Sequence, residues 1–324
     1  MTTTTDNSTV YTSVAREAKI GDVYYDTFAE ALTAANANDT ITLLNDITLN
    51  KMVTIGKDVT IDINKKKINL ASGSSFYISD DNNKSYRVEF KNGEILSNTS
   101  GNNNCAFLLQ KGSTLVFNNV EVTDVTNTVK HYFIWISDTG NISKTASLEI
   151  NSSKFIDLNV VAGIYVGQTP SADDSEITVT IDNSTLSVKN SDNASAGIIA
   201  ASPTNLTVTG NSIISGQAQA IILKSGKAKI TNSTIATTYN GTWSNDTGAA
   251  LQFTESFTGT VELSNVKLGT ANAEHFGIHI ATGGTPTITG TLTSDSVTTI
   301  TENSGHTITK NDSTGVYTVA KSVK

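Results

Sequence analysis

Nine residues of this chain have side chains suited to holding a ligand: the rings of Tyr77, Trp135, Tyr165, His279, Tyr239 and Trp243, and the ammonium groups of Lys224, Lys227 and Lys229. A flat ring offers an apolar face with a polar edge, which suits stacking on the face of a sugar. The three lysines lie around one expected turn of an otherwise acidic chain, with formal charge −8. A uronate or sialate carboxylate could be held there, with Lys189 joining from a neighbouring turn. A solvated positive patch is the plainer reading of the same lysines.

Bond-breaking chemistry asks for more than this. A polysaccharide lyase needs a base beside a carboxylate-bearing sugar, often with calcium held by several acids. A glycosidase needs two carboxylates flanking the scissile bond. Asp80-Asp81 and Asp173-Asp174 are acidic pairs in expected loops with no adjacent base, and read as solvated turn residues. His131, His275, His279 and His306 are scattered without metal-ligand spacing, and no Gly-His-Gly signature of polygalacturonases occurs. The expectation is a protein that is not an enzyme, with no catalytic residue, metal or cofactor.

The elements that must position these residues come from a repeat. Two alternating apolar residues lead to Asn, Ser or Gly, and another apolar residue follows three positions later. The copies are Val88/Phe90/Asn92/Ile95, Leu115/Phe117/Asn119/Val122, Leu148/Ile150/Ser152/Phe155, Val179/Ile181/Asn183/Leu186, Leu206/Val208/Gly210/Ile213, Ala228/Ile230/Asn232/Ile235 and Val261/Leu263/Asn265/Leu268. Between copies lies a second run, usually opened by a small residue, as in Gly163-Ile-Tyr-Val166, Gly197-Ile-Ile-Ala200, Ala220-Ile-Ile-Leu223 and Gly277-Ile-His-Ile280. Phe133-Ile-Trp-Ile136 and Ala250-Leu-Gln-Phe253 fill the same slot. Each period therefore holds three short strands, one side inward and one outward. One coil alone buries too little apolar surface to offset its ordering entropy, so coils must stack. Asn suits the tight bend because it tolerates the left-handed conformation. The spacing predicts an all-β chain, a single-stranded right-handed parallel β-helix of about ten coils with three strands per coil, roughly 50 Å long at ~4.8 Å per strand.

Register then fixes what faces outward. With Ile164 and Val166 inward, the outward column of the first strand reads Tyr77, Leu108, Trp135, Tyr165, Ile199, Ile222, Gln252, His279, with no Asp, Glu, Arg or Lys. Two arrangements follow from the loops: folded over the stripe they bury it, and standing clear they leave a groove. Tyr239 and Trp243 are placed to lean over that groove.

The ends need covering. Thr27-Phe-Ala-Glu30 fits a capping box, and Phe28, Ala31, Leu32 and Ala35 fall at helical spacing, so a short amphipathic helix covers the first coil. Residues 298–300, 307–309 and 316–319 are expected to make an irregular cap at the other end. The organisation expected is a leader (1–17) that reads as a linker fragment, then one domain (18–324) with an N-terminal cap (18–39), coils (40–295) and a C-terminal cap (296–324).

Composition excludes several classes. With only Arg16 and Arg87 as arginines, the chain lacks the basic footprint of nucleic-acid binding. No run approaches the ~18 apolar residues of a membrane span. The single Cys105 precedes Ala106-Phe-Leu-Leu109 and reads as a small buried hydrophobe.

Residues 18–36 (AKIGDVYYDTFAEALTAAN), running into 39–49 (DTITLLNDITL), resemble the opening of pectin-lyase-like β-helices in Gram-positive surface proteins. Length, Thr/Asn-rich composition and polar leader are similar to the binding regions of lactobacillus serine-rich repeat adhesins. The resemblance implies the same fold, an extracellular place on the cell wall, and a monomer attached to host mucus or epithelium. Its implied partners are glycans or glycoproteins such as mucin, or pectin-like, polygalacturonate-like acidic chains. A structural stalk and, further off, a polysaccharide lyase are the competing functions.

Overall fold

Thr, Val and Ile alternate along most of this chain, and their branched side chains favour the pleated conformation. The outcome is 59% strand and 3% helix, an all-β protein of parallel sheets stacked in a solenoid-like way. The computed structural model describes residues 15–79, 84–98, 105–125, 130–137, 145–168, 177–189, 195–242, 248–301 and 304–322. Both acidic pairs named above and Trp243 lie outside these residues, and the side chain of His131 is likewise not described. Among the described residues no helix is long and apolar enough to cross a membrane.

The first wall is a nine-stranded parallel sheet built from Met52–Ile55, Ser75–Ile78, Phe107–Leu109, Lys130–Ser137, Val160–Gln168, Ala196–Ala200, Gln219–Leu223, Ala249–Phe253 and Phe276–Ile280. The second and third walls belong to a 20-stranded sheet. On the second, Val88, Leu115, Leu148, Val179, Leu206, Ala228 and Val261 follow one another in register. On the third, the order is Ile95, Val122, Phe155, Leu186, Ile214, Ile235, Leu268. All of these are buried, in one core cluster shared with the inward residues of the first wall.

The small residues heading the first-wall strands have a steric cause. A Cβ on Gly197 would stand 2.7 Å from the Ala220 carbonyl oxygen and 2.9 Å from Ile214 Cγ2, because the chain turns sharply there against the third wall.

The bend between second and third walls is left-handed, as the repeat predicts. Asn92, Asn119, Ser152, Asn183, Asn232 and Asn265 have φ of 59°, 57°, 47°, 46°, 47° and 54°. Stacked amides bond along the solenoid, with Asn119 Nδ2 donating to Asn92 Oδ1 at 3.2 Å and Asn265 Nδ2 to Asn232 Oδ1 at 3.0 Å. One copy departs from expectation. Gly210 (φ 68°) is followed by a second left-handed residue, Asn211 (φ 64°), so the strand slips by one. Ile214 therefore enters the core, and Ile213 is 44% exposed.

A serine follows the bend residue in several turns and serves as an internal acceptor. Ser153 Oγ accepts from Val120 N–H (3.0 Å), Ser184 Oγ from Ser153 N–H (3.0 Å) and Ser212 Oγ from Ser184 N–H (3.1 Å), all buried. Replacing Ser184 with alanine strands the buried Ser153 amide and is expected to cost about 1–3 kcal/mol. Urea unfolding of the variant measures this; an unchanged midpoint would mean that a water replaces the hydroxyl.

Both ends of the large sheet finish antiparallel. Ala18–Ile20 pairs with Val23–Tyr25 and with Asp39–Leu43. The helix Phe28–Ala34 stands where its capping box placed it: Thr27 Oγ1 accepts from Glu30 N–H, and Glu30 Oε2 accepts from Thr27 N–H. Phe28, Ala31, Leu32 and Ala35 are buried. Lys57 Nζ closes the helix C-terminus by donating to the carbonyls of Leu32, Thr33 and Ala35. At the other end, Tyr317–Lys321 lies antiparallel between Thr287–Leu292 and His306–Lys310. This cap is a regular hairpin rather than the irregular one expected: its reversed strand covers residues 290–292 of the last parallel strand and so ends the parallel ladder.

Candidate functional site

The outward column of the first wall has the register the alternation requires. Thr54, Tyr77, Leu108, Trp135, Tyr165, Ile199, Ile222, Gln252 and His279 are consecutive partners across the nine strands. From Tyr77 to Ile222, and again at His279, these side chains are half-buried; Gln252, at 7% exposure, is buried. The described surroundings neither cover the stripe nor leave it standing free.

The rings gather at the middle of the column. Tyr132 and Tyr165 are stacked with centroids 4.1 Å apart and planes at 7°, and Trp135 lies 5.8 Å from Tyr132. Tyr165 lies flat because residue 167 is glycine: a Cβ there would collide with Tyr165 Cε1 and stand 3.1 Å from Trp135 Nε1. The Trp135 Nε1 atom is buried and has no hydrogen-bond acceptor among the described residues. Burial, then the neighbouring Tyr165 hydroxyl, pushes the Tyr132 phenol above its usual pKa, so the Tyr132 hydroxyl keeps its proton at neutral pH. At the N-terminal side, Tyr77 Oη donates to Gln110 Oε1 at 2.7 Å. Tyr132 was not among the expected residues. It precedes the corner where strand alternation breaks, in register with Ala162, whose small side chain leaves room for the ring.

At the C-terminal end of the wall is a cavity of about 470 Å³ lined by Lys224, Gln252, Thr254, Glu255, Ser256 and His279 among others. Lys224 reaches it because it stands two residues beyond Ile222 on the same strand course. Gln252 Oε1 accepts from Gln219 Nε2 at 3.0 Å. The column itself has no Asp, Glu, Arg or Lys, as expected, but the wall does: Lys224 and Glu255 flank it beside His279.

The lysines are divided between the walls. Lys227 and Lys229 lie on the second wall, in register with Asn205 and Thr207, and Lys229 has Glu262 as its partner on the other side. Lys189 follows Thr185–Val188 on the third wall. The bend at Lys224 and Ser225 leaves Lys224 at the end of the first wall and the other two on the second. Tyr239 is likewise committed elsewhere. Its ring stacks on buried His275 (5.5 Å, 6°), whose Nε2 is 2.9 Å from the Gly241 carbonyl.

A second groove, of about 440 Å³, follows the Asn bends and is lined by Asp62, Lys65, Glu94, Glu121 and Lys154 with the bend residues. Its charges run in register as Lys67–Glu94–Glu121–Lys154, two facing glutamates with a lysine on either side, and Lys67 is 2.7 Å from Glu94, which raises the lysine pKa. Each glutamate thus has one opposite-charge cross-strand partner, which offsets the repulsion between the two carboxylates on a solvated face. Among the described residues no group of three or more His, Cys, Asp or Glu is placed to hold a metal ion. Cys105 is buried, and burial pushes its thiol up to about 12, so it is unreactive as a nucleophile.

Comparisons with protein-family models, with curated proteins and with solved structures gave no significant match.

Proposed function

We propose that the chain is a right-handed parallel β-helix acting as the non-catalytic binding domain of a cell-surface adhesin, taking glycans along its first wall. The observation that carries the reading is the in-register ladder Tyr77–Leu108–Trp135–Tyr165, widened by Tyr132. The rings of Trp135 and Tyr165 on adjacent rungs give apolar platforms about 4.8 Å apart, and half-burial holds them in place. The cavity with Lys224 and Gln252 would receive polar groups of the same chain. The location on a Gram-positive cell wall, the monomeric state and the mucin or polygalacturonate-like partners rest on the resemblance of residues 18–49.

Titration on a glycan array with uronate polymers at pH 4 and pH 7 tests this. Saturable binding is expected, tighter at pH 4, because protonating carboxylates reduces repulsion between an acidic glycan and a protein of charge −8. Equal affinity at both pH values would contradict that mechanism, and no saturable binding at either would favour a stalk. The lyase reading has one observation behind it, Lys224, Glu255 and His279 around one cavity. Ultraviolet-absorbing unsaturated products from polygalacturonate would establish it over the binder.

A further inference from the structure

We infer that His306 is a proton-operated latch on the C-terminal cap: its neutral imidazole accepts an outward amide of the last parallel strand, and protonation withdraws that acceptor and loosens the closing hairpin.

Thr287–Leu292 is the last strand of the second wall, parallel to Thr260–Thr270. Thr285 and Thr287 donate back into the stack, to the Phe257 and Gly259 carbonyls at 2.8 and 2.9 Å. Ile288 and Gly290, alternating with them, turn their amides outward. Gly290 is in register with Val319 of the capping strand, where the pairing begins. Ile288 lies beyond that pairing, and its N–H donates to His306 Nε2 at 3.2 Å. A side chain thus supplies the acceptor that the departing strand no longer offers.

The tautomer follows from the two neighbours. Nδ1 is 3.0 Å from the Ser304 carbonyl oxygen, which can only accept, so Nδ1 carries the proton. Nε2 faces an amide that can only donate, so it carries the lone pair. A second proton would set N–H against N–H in a buried site, with His306 at 9% exposure. Among the described residues the charged groups nearby add nothing to favour it. Lys321 is the register partner of His306 across the hairpin. Lys310, on the same strand, is turned over the Tyr317 ring at 5.8 Å. Thr287–Leu292 has no ionisable side chain, and Glu262 beneath it is paired in register with Thr289 on the outer face.

Burial lowers the imidazole pKa below 6.5; the Ser304 carbonyl opposes this and Lys321 adds to it. A group whose folded pKa is depressed stabilises the fold fully above its unfolded value and ceases to do so as pH falls through the folded one. The cap is therefore firm at neutral pH and loosens in mild acid, baring the edge of Thr287–Leu292 and the buried Ile288, Leu292 and Val319.

Hydrogen exchange on the whole chain at pH 7.5 and 5.0, corrected for intrinsic rates, tests the latch. Protection of the Ile288 amide is expected to fall about tenfold or more at pH 5.0, while mid-stack amides such as Val179 keep theirs. His306→Gln, with an oxygen acceptor that does not titrate, is expected to lose this pH dependence. The same acid loss in His306→Gln, or protection unchanged in the wild type, overturns the latch. Should the variant not fold, nitrogen-15 shifts of the wild-type imidazole decide alone: a proton on Nδ1 at pH 7.5 with titration below 6.5 supports the latch, and a proton on Nε2 ends it.

Discussion

Replacing Trp135 with alanine is expected to weaken glycan binding by about 30-fold, roughly 2 kcal/mol, the loss typical of an aromatic anchor at the centre of a contact patch. The indole is the largest ring on the first wall, between Leu108 and Tyr165 in register and beside the Tyr132–Tyr165 stack. Its removal takes away a platform face and leaves the pair beyond it without lateral support. Stability should fall by only about 1 kcal/mol, because the side chain is half-buried and outside the core. Two further variants separate platform from scaffold. Gly167→Ala removes no ring but collides with Tyr165, and should weaken binding as well. Lys227→Ala, on the second wall, should leave it unchanged. Calorimetric titration with the best array ligand reads all three. Affinity of Trp135→Ala within twofold of wild type would remove the first wall from consideration.

The largest stability effect is expected at Phe117. Its ring is fully buried, edge-on to Phe107 (5.0 Å) and Phe155 (5.1 Å) and stacked with Phe90 (5.8 Å). These rings come from all three walls, so Phe117 ties the interior together across adjacent turns. Truncation to alanine should cost about 3–5 kcal/mol, from lost transfer energy and the cavity left where rigid neighbours cannot collapse. In a stacked repeat the damage is to one turn and its two interfaces. Denaturant unfolding should show a lower midpoint, with Phe117→Leu intermediate. A loss under about 1 kcal/mol would mean that the neighbouring phenylalanines close the gap.

The capping box at Thr27 and Glu30, the left-handed asparagines and the whole outward column of the first wall were legible in the sequence, because each depends on residue type and local period. The slip at Gly210-Asn211 was not, since either residue fits the bend and only the third-wall register decides between Ile213 and Ile214. Nor was the parting of the lysines: Lys224, Lys227 and Lys229 are close along the chain, but the bend at Lys224 and Ser225 puts them on different walls. Tyr132 escaped because alternation fails where a strand rounds a corner, while Glu255 and His279 meet Lys224 only because turns far apart in sequence are stacked.

What the sequence determined by itself is therefore the repeating strand, its bend residue and which side chains point away from the core, all set by backbone preference and a period of two. Which outward residues become neighbours was decided by the tertiary structure alone. Adjacency between turns depends on loop lengths and corner positions, and these vary from one repeat to the next without altering the local pattern.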